Sequence, residues 1–94
     1  MNFNTSKPLY EEEIAILEEE AKKFQLILYN DDVNTFEFVI ETLVKLCGHD
    51  VIQAAQCAEL VHGTGKCSVK EGSYEKLEPL CTAMLERGLS AAIE

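Results

Sequence analysis

The sequence predicts an α+β fold: a small three-stranded antiparallel sheet packed on three helices, in the order βααβαβ. Three observations predict it. An apolar run from Phe24 or Gln25 to Tyr29 stops abruptly at Asn30-Asp31-Asp32, as a strand entering a turn does. Three later segments repeat apolar residues at helical spacing, each lying between a capping residue and a glycine. Two short stretches, Lys66 to Val69 and Leu89 to Ile93, are brief enough to be the remaining strands.

With 94 residues the chain makes one folded domain with a modest core. Its net charge of -9 argues against nucleic acid and anionic membrane, both of which demand a basic face, and favours a cationic ligand or a basic partner surface. No apolar run approaches the ~20 residues of a membrane span. Cys47, Cys57, Cys67 and Cys81 sit inside apolar patterns without a C-x-x-C pair, and no signal peptide is evident. They read as buried free thiols of a cytoplasmic protein.

Residues 1–23 form an N-terminal extension and residues 24–94 the core domain. In the extension, Glu11-Glu12-Glu13 and Glu18-Glu19-Glu20 precede Lys22-Lys23, a charge order that suits a helix macrodipole. Ile14, Leu17 and Ala21 make only a thin apolar stripe, so this segment reads as flexible or marginally helical. After the first strand, Asn34 and Glu37 have capping-box spacing and place a helix start at Thr35. Phe36, Val39, Ile40, Leu43, Val44 and Cys47 form its apolar face, and Gly48 its C-cap. Asp50, three residues before Gln53, starts a second helix with Val51, Ala54, Ala55, Ala58 and Val61 on one face. Gly63 stops it just after His62, and the short link between the two helices predicts a packed hairpin. A turn at Glu71-Gly72 follows the second strand. Ser73 then caps a third helix carrying Leu77, Leu80, Cys81, Met84 and Leu85, with Pro79 inside it predicting a kink or a late start. Gly88 ends that helix.

The candidate chemistry lies at the end of the first strand. Asn30, Asp31 and Asp32 gather amide and carboxylate acceptors beside an apolar helix start. An ammonium group has three donors and wants two or three oriented acceptors, at least one of them charged. The same three residues also serve as ordinary turn chemistry. His62, when neutral, can accept one ammonium proton, and it is equally a helix C-terminal group responding to the dipole. As a zinc ligand it lacks partners, since Cys57 and Cys67 stand five residues to either side and complete no recognisable spacing. Nothing marks an oxyanion hole or an orienting third residue for a Cys57/His62 pair, so no catalytic residue is assigned. Phe36, Val39, Ala58, Val61 and Leu89 lie near the polar cluster in this fold, as core or as pocket lining.

Taken together, Leu28-Tyr29-Asn30-Asp31-Asp32, then Phe38-Val39-Ile40, Val61-His62, Gly65-Lys66 and the segment from Glu75 to Leu89 resemble the ClpS family of bacterial protease adaptors. The resemblance covers residues 24–94. It implies an adaptor without catalytic activity or cofactor, which binds proteins bearing a bulky hydrophobic N-terminal residue, the N-degron, and delivers them to a Clp-family AAA+ unfoldase and its peptidase. It implies that Asn30 and Asp32 of the Asn30-Asp31-Asp32 cluster bind the α-amino group together with His62, with Asp31 in the same amine- and peptide-binding set. Asn34, where many members have Thr, would contact the first peptide unit. Phe36, Val39, Ala58, Val61 and Leu89 would line the side-chain pocket, and the extension would serve in delivery. Many members carry Met at the positions of Phe36 and Ala58, and Pro at that of Thr35. Phe adds about three heavy atoms relative to Met and Ala removes about three, so facing side chains would nearly conserve volume. The alternative is an interaction domain of the same fold that does not read N-termini.

Overall fold

A computed structural model describes residues 11–14, 17 and 22–94 of the chain. Strand β1 spans Phe24–Tyr29, helix α1 Phe36–Cys47, helix α2 Val51–Thr64, strand β2 Lys66–Gly72, helix α3 Tyr74–Glu86 and strand β3 Ser90–Ile93. The sheet order is β2-β1-β3 with both pairings antiparallel, as the βααβαβ reading requires. In the extension, residues 11–14 and 17 have helical backbone; the remaining expectations for residues 1–21 lie outside the described residues.

Alternation along β1 makes the core. Leu26 and Leu28, two residues apart and hence on one face of the sheet, are buried against Leu43 and Cys47 of α1, Ala54, Cys57 and Val61 of α2, and Leu77, Cys81 and Met84 of α3. Each fully buried leucine contributes about 1.5–3 kcal/mol relative to exposure. All four cysteines are free thiols, Cys67 half-buried and the others buried. Burial, and then the neighbouring Cys57 thiol, push Cys67 up to about 12. Such a thiol is a packing group and a poor nucleophile.

Several boundaries differ from the sequence reading, each for a local reason. Thr35, not Asn34, caps α1: its hydroxyl accepts the Phe38 N–H at 3.1 Å, while Asn34 is drawn into the preceding turn. Helix α2 passes through Gly63 to Thr64, and Gly65, at φ 97°, supplies the left-handed C-cap. Val51, expected on the inner face of α2, is 65% exposed, in a first turn whose next residue, Ile52, is exposed as well. Strand β2 continues through Glu71 to Gly72 rather than turning there, since it pairs with the start of β1 at Phe24. Helix α3 begins at Tyr74 behind its Ser73 cap and runs unbroken through Pro79, whose missing N–H neither delays its start nor ends it. Leu85 faces solvent there.

A bulge interrupts the β1–β2 ladder: Leu26 pairs with Lys70 and Ile27 with Ser68, which leaves Val69 as the extra residue. The freed Val69 carbonyl accepts the Nε2 hydrogen of buried His49 at 2.7 Å, and Lys70 Nζ donates to the Cys47 carbonyl at 3.1 Å. These two bonds pin the α1–α2 link to the sheet.

Candidate functional site

The end of β1 is built into the site by its neighbours. Tyr29 pairs with Lys66 of β2 on one side and Ser90 of β3 on the other. The next residue, Asn30, donates its backbone N–H to the Gly65 carbonyl at 2.9 Å. Gly65 caps α2, and His62 stands in the last turn of that helix, so this one bond sets the Asn30-Asp31-Asp32 turn beside the imidazole.

Asp31 closes the turn. Its Oδ1 accepts the N–H of Val33 at 2.9 Å and of Asn34 at 2.8 Å, and its Oδ2 accepts Nδ2 of Asn34 at 2.9 Å. The Asn34 N–H above all, with the Asn34 amide and the Val33 N–H, holds the Asp31 carboxyl below the usual carboxylate range. Asn34 Nδ2 also donates to the Gly88 carbonyl, at 2.9 Å. By contrast, Asn30, Asp32 and His62 are exposed, and among the described residues their side chains make no hydrogen bond.

These residues share one hollow of about 500 Å³, within the range of roughly 300–1,000 Å³ usual for ligand sites. Its polar rim is Asn30, Asp31, Asp32, Asn34 and His62. Its apolar wall is Phe36 and Val39, one turn apart on α1, with Ala58 and Val61, one turn apart on α2. Ala58 and Val61 are buried, whereas Phe36 is 39% exposed and leaves the hollow open. Leu89, also expected in the wall, packs with the core at 4% exposed, behind the left-handed turn at Gly88, φ 86°, and with its N–H donated to the Met84 carbonyl.

Chemically the lining is a set of acceptors over an apolar floor. It offers no hydroxyl, thiol or lysine as a nucleophile. Among the described residues no group of three or more His, Cys, Asp or Glu side chains could hold a metal ion. What such a surface can do is hold a group that is cationic at one end and apolar at the other.

Comparison with known proteins agrees with this fold. A solved structure of Agrobacterium tumefaciens ClpS2 bound to L-phenylalaninamide superposes with a TM-score of 0.74 at 20% identity, covering 78% of this chain and 95% of that one, a likeness of fold. The model of the family described as ATP-dependent Clp protease adaptor protein ClpS matches residues 19–92. The chain belongs to the ClpS family. The ClpS adapter of Nocardia farcinica is 30% identical over 79 residues, which is 84% of this chain and 74% of that protein. That of Campylobacter jejuni is 38% identical over 52 residues, 53% of this chain and 54% of the relative. ClpS proteins are adaptors of the ATP-dependent Clp protease, and among the described residues of this ClpS-family chain no helix is long and apolar enough to cross a membrane.

Three parts of the site escaped the sequence reading. The Thr35 cap competes with an equally spaced Asn34–Glu37 pair, and spacing alone does not rank them. The Gly65 and Gly88 carbonyls are backbone acceptors reached from far along the chain, and no residue pattern announces such contacts.

Proposed function

We propose that this ClpS-family chain binds polypeptides through a free α-amino group and a bulky hydrophobic first side chain, and presents them to a Clp-family AAA+ unfoldase. In this reading the ammonium sits among Asn30, Asp32 and His62, and the first side chain lies against Phe36, Val39, Ala58 and Val61. The observation that carries it is the pairing of three acceptor side chains that make no hydrogen bond among the described residues with an open apolar hollow of about 500 Å³. The ligand named for the Agrobacterium tumefaciens protein, L-phenylalaninamide, has the same two ends: a free amine and a large apolar side chain. The chain's own part is binding and delivery in the cytoplasm, with bond cleavage left to the protease.

Titration by fluorescence anisotropy with Leu- and Phe-initiated peptides, each beside an N-acetylated control, tests this reading. Binding of the free peptides and not the acetylated ones is expected, because acetylation removes the charge that Asp32 meets. Equal binding of both forms would overturn the reading and favour an interaction domain that does not read N-termini.

A further inference from the structure

The turn of residues 31–34 carries the charged acceptor, yet it lies in neither a helix nor a strand. Its near end is held by the Asn30 N–H on the Gly65 carbonyl, and among the described residues one side-chain hydrogen bond ties it to another part of the fold: Asn34 Nδ2 to the Gly88 carbonyl, 2.9 Å long and spanning 54 positions of sequence. The other hydrogen on Nδ2 goes to Asp31 Oδ2 at 2.9 Å. Both partners are acceptors, which fixes the orientation of the amide and occupies both of its donors. Asn34 therefore has no N–H left for a bound peptide. Gly88 stands outside the hollow, at φ 86°, a backbone conformation that other residues adopt only under strain.

We infer that Asn34 is a positioning residue: its amide clamps the Asp31 turn against the corner between α3 and β3 and so holds the Asp32 carboxylate where an ammonium meets it. This rests on the reading of the site given above and replaces the expected direct contact between Asn34 and the first peptide unit. The clamp has two ends, and only one of them borders the hollow. Removing either end releases the turn on the side of α3 and β3, while the Asn30 bond to Gly65 and the apolar wall stay as they are.

The test measures the affinity of Asn34→Ala, Gly88→Ala and the double variant for a Leu-initiated peptide, for its acetylated form, and for an analogue with an ester in place of the first peptide bond. A Cβ at Gly88 meets nothing within 4 Å, so that variant perturbs conformation alone. Each single variant is expected to lose roughly tenfold in free-amine affinity, with the selectivity over the acetylated peptide falling in step. The loss is the same for the ester, and the double variant loses little more than either single one, since both act through one bond. Circular dichroism at the assay temperature shows whether each variant is folded; Asn34→Thr, which keeps one donor, recovers part of the loss. Affinity within about twofold of the parent in a folded Asn34→Ala, a loss that vanishes with the ester, or losses that add in full would each overturn the inference. A parent chain that binds none of the peptides removes the underlying reading and this one with it, a result distinct from a parent that binds and variants that bind equally.

Discussion

Asp31 and Asp32 are adjacent and chemically identical, and the structure employs them differently. Asp31 accepts three hydrogen bonds inside the turn, whereas Asp32 makes none among the described residues. Asp32→Asn is therefore expected to weaken binding of a Leu-initiated peptide by about 1.5–3 kcal/mol, the worth of a bond to a charged group, with the melting temperature unchanged. Asp31→Asn should do the opposite, lowering the melting temperature first. The native Asp31 pKa lies below its ordinary value, so its contribution is fully present above the unfolded carboxylate pKa of about 3.9 and is lost as pH falls through the lower folded value. Replacing it should make the acid limb of a stability-against-pH curve shallower. His62 has a different signature: His62→Ala removes an acceptor that the ammonium would meet and is expected to weaken binding of a Leu-initiated peptide, while His62→Gln, which keeps an acceptor, should recover part of the loss; unchanged affinity in His62→Ala would exclude His62 from the site.

At the scale of elements, helix ends decide where the site sits. The Thr35 hydroxyl caps α1 just before Phe36, the first wall residue, so the cap fixes the angle at which that wall meets the turn. Thr35→Ala is expected to cost about 1 kcal/mol, and in a domain of this size a thermal scan should show it as roughly 4–8 °C. Element identities were legible in the sequence because periodicity and turn residues report them directly: the Asp50 and Ser73 caps accept the N–H groups of Gln53 and Lys76 as their spacing predicts. Element ends were less legible. Gly63 and Gly65 are equally good stop signals locally, and the one bonded through its carbonyl to Asn30 is the one that caps α2. Val51 and Leu85 fit the helical spacing of buried faces yet point outward, because periodicity defines a stripe and says nothing of where the neighbouring layer ends.

Over the whole molecule, the polar rim was legible as a cluster of acceptor types, whereas helical spacing did not separate the apolar wall from core and only the family resemblance marked it as a pocket. The division of labour within the rim was not legible, because Asn34 takes its role from a carbonyl at Gly88 that only tertiary folding brings near. The core closes upon itself, since Gln25 and Glu94 exchange backbone hydrogen bonds of 2.7 and 2.8 Å and join the first strand to the chain's last residue. A chain lacking residues 1–21 is accordingly expected to bind Leu-initiated peptides within about twofold of the full chain, while failing to stimulate degradation of an N-degron substrate by a reconstituted Clp protease.

An open sheet margin invites stray segments to add on and polymerise. Here β2 lies at one margin and carries the Val69 bulge together with the exposed Lys66 and Lys70, while β3 at the other is four residues long. The distortion that His49 pins in place therefore makes the β2 margin a poor template for open-ended strand addition.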